Sequence, residues 1–310
     1  MSSAPPRAVV VHRRTELESL LERHGTRGQA GFFLTGRGRT LADVQDRHDR
    51  RQLALREVRA AVPAHWRIGD AERDDLHRFG FEPDDVCVVV GQDGLVANVA
   101  KYLDGQPVIG VDPEPGHGLG ALVGHHDVGL ADLLTGAAAG TAPVQPRAMV
   151  RAVLDDGQQL DALNEVYLGD HGHQSARYRV LPPGGGQGER QSSSGLIVAT
   201  GTGSTGWAAS LARQCTPPPP LPGPTQDWLS WFVREAWPSP TTGTTQVRGT
   251  LGPDDELTVV VESDAVVVFG DGLETDRLTA TWGQQVSLAV SPRTLLLVDP
   301  PSRPSNPPAT

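Results

Sequence analysis

The chain has 310 residues, enough for two domains at about 150 residues each, and combines 38% hydrophobic residues with 36 glycines and 26 prolines. A formal net charge of −10 argues against a general nucleic-acid binder, and no apolar run reaches the roughly 18 to 20 residues that cross a bilayer. Two cysteines, Cys87 and Cys215, imply no disulfide framework, and Met-Ser-Ser-Ala-Pro-Pro at the amino terminus lacks a signal-peptide core, so the expected location is the cytoplasm, with no nucleic-acid and no membrane partner. Lys101 is the only lysine, so a phosphate-binding or Schiff-base lysine is available there alone.

In chain order, Ala8 to Val11 reads as a short β-branched strand, and Thr15 with Glu18 as a capping box ahead of a helix that Gly25 stops. Thr40 caps a longer helix from Leu41 to about Ala61, ended by Pro63. Its run Asp46-Arg47-His48-Asp49-Arg50-Arg51 reads as a solvated face. Asp74 to Phe79 reads as a helical turn. Asp85 to Val90 is an apolar run suited to a strand buried on both faces, within which Cys87 is a small buried hydrophobe. A glycine loop then leads into a helix, Pro107 to Val111 forms a further buried strand, and Val128 to Leu134 a helix before Gly136. Alternating strands and helices predict a doubly wound parallel-sheet α/β domain, with ligands beyond the carboxyl ends of the strands.

Beyond Thr141-Ala142-Pro143 the segments become short and turn-bounded: Leu163–Leu168, Leu196–Thr200, Leu257–Val261, Ala265–Phe269, Leu278–Thr281, Val286–Val290 and Leu295–Val298. The expected division is an α/β nucleotide-binding domain over 1–143, a β-rich, β-sandwich-like dinucleotide-binding domain over 144–293, and a terminal strand and tail over 294–310. The tail from Pro300 is expected to fray. A glycine-rich loop spans Pro182 to Gly188, and Thr216 to Thr225 reads as exposed polyproline. Trp228, Trp231, Phe232 and Trp237 then read as one aromatic stripe on a helix, packed in a core or a subunit contact.

Three stretches carry chemistry. In Gly91-Gln92-Asp93-Gly94-Leu95 the glycines let backbone amides and a helix N-terminus approach a phosphate. A carboxylate there is repulsive unless it holds a metal or takes a proton from an attacking hydroxyl, so Asp93 suggests phosphoryl transfer. Thr200-Gly201-Thr202-Gly203-Ser204-Thr205-Gly206-Trp207 follows a strand and offers hydroxyls and amides at one spot, as a nucleotide loop or a polar turn. Asn164-Glu165 places an amide and a carboxylate side by side in an apolar strand, where a ligand and a structural hydrogen bond are equally good partners. His125-His126-Asp127 and His171-Gly172-His173 lack further partners at zinc spacing, so no metal site is assigned, and His117 reads as a loop residue.

Together these stretches resemble the NAD kinases, in order and in rough separation, over about residues 8 to 299. The likeness is nearer the branch of the mitochondrial NAD kinase of animals, through Pro107 to Glu114, Ala162 to Val166, Ser193 to Leu196 and Trp207, and extends to Asp271-Gly272. The resemblance implies a kinase acting on the 2′-hydroxyl of the NAD adenosine ribose, with an α/β domain, a β-rich domain and a site between them. On it Asp93 orients or deprotonates the hydroxyl and Gly91 and Gly94 are phosphate-loop glycines. Asn164 and Glu165 hold the ribose and adenine end, and Thr200, Thr202, Gly203, Ser204 and Thr205 form the contacting loop. Trp207 stands where many members carry tyrosine. The implied donor is ATP with Mg²⁺, the acceptor NAD or NADH, and the assembly a homodimer or higher homo-oligomer. Two positions depart from the family loop: Gln92 replaces a glycine and Leu95 a threonine. If position 92 requires positive φ or close phosphate approach, glutamine costs on the order of 1 kcal/mol or more. A kinase for another hydroxyl, such as a lipid, sugar or specialised metabolite, and a non-catalytic NAD(P)-binding protein remain the rival readings.

Overall fold

In a computed structural model of the chain, the residues described are 5–114, 121–125, 129–184, 186 and 188–299. His117, His126, Asp127, Val128, part of the 182–188 loop and the tail from Pro300 lie outside them. The chain forms two compact units: one runs to Tyr102, resumes over Gln106–Gln145 and takes the chain back at Leu296, and the other comprises Leu103–Gly105 and Pro146–Leu295.

The first unit contains β1 (Arg7–His12), α1 (Glu16–His24), α2 (Arg27–Thr35), α3 (Leu41–Ala61), β2 (Arg67–Glu72), a 3₁₀ turn (Arg73–Arg78), β3 (Asp85–Val90), α4 (Asp93–Ala100), β4 (Pro107–Val111) and α5 (Leu130–Ala138). Its strands lie parallel in the order β2-β1-β3-β4. Every residue of β3 is buried, because parallel strands under helices are covered on both faces. Val86, Val88 and Val90 pack with Ala8, Val10, Leu55, Val58, Ile109 and Leu134. Thr15 and Glu18 form the full capping box, and Gly25 ends α1 at φ 75°, where a Cβ would be strained.

Several elements depart from expectation. Both α2 and β2 carry weak sequence signals: α2 includes Gly28 and Gly31, and β2 is a mostly polar edge strand, Arg-Ile-Gly-Asp-Ala-Glu. The helix α5 runs through Gly136, where a Cβ would sit 3.4 Å from that of Ala142. The charged run on α3 is also not uniformly solvated, since Arg51 is only 8% exposed.

The second unit contains β5 (Val144–Leu154, of which 144–145 belong to the first unit), β6 (Gln159–Ala162), β7 (Glu165–Gly169), β8 (Ala176–Leu181), β9 (Glu189–Ser193), β10 (Leu196–Ala199), a 3₁₀ turn (Gly203–Thr205), α6 (Trp207–Arg213), β11 (Leu229–Val233), β12 (Arg248–Leu251), β13 (Glu256–Val261), β14 (Ala265–Gly270), β15 (Leu278–Thr281) and β16 (Gln285–Val298). One antiparallel sheet runs β12-β11-β10-β7-β14-β15. Opposing strands include the antiparallel set β16-β13-β8-β9 and the hairpin β5-β6. Apolar residues of both sets, among them Val166, Val198, Trp231, Tyr178 and Val259, share one core. The α/β plus β-rich class is therefore the observed one.

The aromatic stripe is not helical. Trp231 and Phe232 are neighbours in β11, and the period-2 geometry of a strand sends them to opposite faces, Trp231 into the shared core and Phe232 against α6. Trp237 is 68% exposed. Val286–Val290 and Leu295–Val298 are two ends of one strand, β16. Its first part pairs with β13, and Leu296 and Leu297 pair parallel to Pro107 and Val108 of β4.

Candidate functional site

In the first unit the glycine loop joins β3 to α4, as its composition requires. Gly91 N–H donates to the Val111 carbonyl at 3.0 Å, and a Cβ at Gly91 would meet Leu95 Cδ2 at 3.1 Å. Leu95, 3% exposed, thus closes over the glycine. Gln92 is the N-cap of α4 at φ −107°, ψ 163°. That is ordinary extended backbone, so the condition of positive φ does not apply and the glutamine is unstrained. Its Oε1 accepts from Arg13 Nη2 at 3.0 Å. Nothing lies within 4 Å of a Cβ built on Gly94, so that glycine keeps the first turn of α4 open.

Asp93 opens α4, where its charge is favoured by the helix N-terminus. Its carboxylate accepts three backbone N–H groups, from Ala121 to Oδ2 at 2.7 Å and from Leu122 and Val123 to Oδ1 at 3.1 and 3.2 Å. Gly110 makes this possible: a Cβ there would lie 2.0 Å from the Leu122 carbonyl oxygen, so only glycine lets the 121–123 segment come down beside β4. His125 N–H to Gly110 O at 3.1 Å continues the pairing. Among the described residues Oδ1 is saturated and Oδ2 keeps one lone pair. Sequence reasoning found Asp93 but not the amides that hold it.

In the second unit Asn164-Glu165 and the 200–205 loop form one hydrogen-bonded cluster. Asn164 precedes β7 in a bend rather than lying within the strand. Its carbonyl accepts from Thr200 N at 2.9 Å and stands 2.2 Å from where a Gly203 Cβ would be, so that glycine is required by close approach. Buried Thr200 donates Oγ1 to Leu163 O at 2.5 Å and accepts from the amides of Thr202 and Gly203 at 3.1 and 3.3 Å. Ser204 Oγ donates to Thr200 O at 3.0 Å. Thr200 and Ser204 therefore shape the loop, whereas Thr202 Oγ1 is buried with no hydrogen-bond partner and Thr205 is exposed. Behind the loop, the Gly223 carbonyl lies 1.8 Å from a Cβ position on Gly201. Part of the proline segment thus buttresses the loop, rather than being simply exposed.

Asp271 completes the cluster. At φ 54° it turns its carboxylate to accept from Leu163 N and Asn164 N at 2.9 and 2.6 Å, while its own N–H donates to Glu165 O at 3.0 Å. Burial, reinforced by the Asp271 charge, pushes the Glu165 carboxyl up to about 7. Trp207 stacks on Tyr167 with centroids 5.8 Å apart and planes 10° apart, and the Arg234 guanidinium lies 4.8 Å over its ring. Phe269 packs on Tyr167 at 4.9 Å. The sequence does not single out Tyr167, Phe269 or Arg234: strand alternation marks the first two only as sheet residues, and Arg234 lies in the bend after β11.

Among the described residues no group of three His, Cys, Asp or Glu is placed to hold a metal ion. His125 is buried with Nε2 3.1 Å from the Val298 carbonyl oxygen, and His171 lines a surface cleft with Asp170 and His173. Among the described residues no helix is long and apolar enough to cross a membrane.

No family model matches the chain, and no curated protein matches it. Among solved structures it is similar to an NAD kinase from Archaeoglobus fulgidus in complex with ATP. The two share 16% sequence identity and a TM-score of 0.57 over 94% of this chain and 93% of that one. The fold is thus that of an NAD kinase.

Proposed function

We propose that the protein is an NAD(H) kinase, transferring a phosphoryl group from ATP to the 2′-hydroxyl of the NAD adenosine ribose. The observation that carries the reading is the cluster of the second unit. Glu165, whose carboxyl accepts no protein hydrogen bond among the described residues, and Thr202, whose hydroxyl is unpartnered, sit on a loop pinned by Thr200 and Gly203. A buried hydroxyl and a half-buried carboxyl, both held without hydrogen-bond partners, suit a ligand that brings hydroxyls and ring nitrogens.

In this reading Asn164, Glu165 and the 200–205 loop bind ribose and adenine. Asp93 orients the acceptor hydroxyl through the remaining lone pair of Oδ2, with the 121–123 amides holding the carboxylate still. Rigid placement of this kind supplies much of a phosphoryl transfer, in which positioning and charge stabilisation carry most of the work. Gly91, Gly94 and the first turn of α4 face the donor phosphates. Magnesium, when bound, would neutralise charge on the phosphates. The cytoplasmic setting, a homodimer or higher homo-oligomer, and the domain limits 1–143, 144–293 and 294–310 belong to the same proposal.

The test is NADP formation from NAD or NADH with ATP and Mg²⁺, repeated with polyphosphate, with Asp93→Asn as control. No product with any donor refutes the proposal. Buried Leu95 in place of a threonine hydroxyl favours one rival, a dinucleotide binder without turnover, and calorimetric NAD binding without product would establish it.

A further inference from the structure

A second cleft, of about 410 Å³, lies wholly in the first unit, where β1, β2 and β3 end. Its walls come from the turn after β1 (Arg13, Thr15), from α3 (Arg47, His48, Arg51), from Arg73 after β2 and from Gln92 of the glycine loop. In parallel α/β sheets this end is where ligands bind, and the volume suits a small molecule.

Arg51 is the residue that fold stability does not explain. It is 8% exposed, lines the cleft, and its Nε is buried with no hydrogen-bond partner. An arginine is always charged, and a buried charge without a partner is costly. Burial, then the neighbouring Arg13 guanidinium, weakens its hold on the proton, against partial support from Glu114 and Glu18. The acids on the walls are spoken for: Glu16 pairs with Arg39 at 2.6 Å, Glu72 with Arg14 at 3.4 Å and Glu114 with Arg50 at 3.8 Å. Arg13, Arg51 and Arg73 are left facing the cleft with Asp74 as the remaining acid.

We propose that this cleft binds an oligophosphate, with Arg51 at its base and Arg13 and Arg73 at its sides. Planar guanidinium forks match phosphate oxygens two at a time, and an anion here removes the repulsion between Arg13 and Arg51. Gln92 closes the side toward the glycine loop, and its amide already engages Arg13. The chain thus carries guanidinium donors next to a loop in which Gln92 and Leu95 provide fewer phosphate contacts. That the anion is the phosphoryl donor rests on the kinase reading above; that the cleft takes oligophosphate does not.

The experiment is calorimetry and thermal unfolding of the full chain with inorganic tripolyphosphate, ATP, AMP and sulfate, for wild type, Arg51→Met and Arg73→Gln. Wild type should bind tripolyphosphate and ATP far more tightly than AMP or sulfate. Equal affinity for the two assigns the site to the phosphate chain alone, and tighter ATP binding adds a nucleoside contact. Arg51→Met should raise the Tm of the ligand-free protein, because an unpaired buried charge is gone, and weaken tripolyphosphate binding roughly tenfold to a hundredfold. A purely structural Arg51 would instead lower the Tm. Arg73→Gln, at the rim, should weaken binding with an unchanged Tm, which keeps the proposal open to refutation if Arg51→Met misfolds. Wild-type affinity in both variants, no binding by wild type, or sulfate binding as tightly as tripolyphosphate overturns it. NADP formation in the same samples separates the two readings. Binding without NADP formation removes the kinase assignment alone, whereas NADP formation with wild-type tripolyphosphate affinity in both variants removes the cleft alone; weakened tripolyphosphate binding with an unchanged KM for ATP removes only the donor role of the cleft.

Discussion

Replacing Glu165 by glutamine isolates the electrostatics of the dinucleotide cluster. The carboxyl rises from 4.5 to about 7, first through burial and second through Asp271. At about 1.4 kcal/mol per pH unit, keeping it ionised in the native state costs about 3 kcal/mol. The sign follows from proton counts: between pH 4.5 and 7 the folded group holds a proton that the unfolded chain has lost, so stability falls as pH rises through that window and is flat above it. Glu165→Gln removes the titrating group. Urea unfolding from pH 4 to 8 should show no gain for the variant near pH 4 and a gain approaching about 3 kcal/mol at pH 8. Parallel stability curves for variant and wild type would refute the desolvated-carboxyl reasoning. A ligand hydroxyl donating to this group favours its charged form, so NAD binding near pH 6 should release protons. Calorimetry in buffers of different ionisation heat reads that release directly.

Three further outcomes are expected. Gly203→Ala places a methyl 2.2 Å from the Asn164 carbonyl oxygen; it should cost about 1–3 kcal/mol and weaken NAD binding, as unfolding and calorimetry would show. Leu95→Thr, which restores a hydroxyl in the glycine loop, empties part of a buried site against Gly91 and should lower stability by about 1–3 kcal/mol in chemical denaturation. Arg7→Met strips a bidentate partner, with both contacts at 2.7 Å, from Asp85, which is 1% exposed; a loss of about 3–5 kcal/mol should appear as a lower urea midpoint.

The first unit was legible wherever apolar runs and caps agreed with burial, as at β1, α1, α3 and β3. It was obscure at β2, an edge strand whose polar residues meet water, and at α2, whose glycines mask its period. The β11 aromatics misled because Trp231 and Phe232 are adjacent, and adjacency is neutral between a wide helical stripe and a strand buried on both faces. The candidate motifs were visible as glycine, hydroxyl and carboxylate clusters. Their partners were not: the amides on Asp93 come from a segment admitted by Gly110, and Asp271 reaches Asn164 only through a left-handed backbone. Arg51 was hidden in a charged run because one helix face carries both solvated and buried arginines.

The strand β16 has a consequence for synthesis. Its last residues pair with β4 at Pro107 and Val108; His125 covers that edge of β4 further on, at Gly110 and Val111, but the Pro107–Val108 end stays uncovered until residues 296–297 have been made. An open strand edge is a template for unwanted pairing, and closing it late requires a contact of very long sequence separation, a slow step. The first unit is therefore begun before the second and completed after it, and fragments ending before β16 should aggregate through the Pro107–Val108 end of β4.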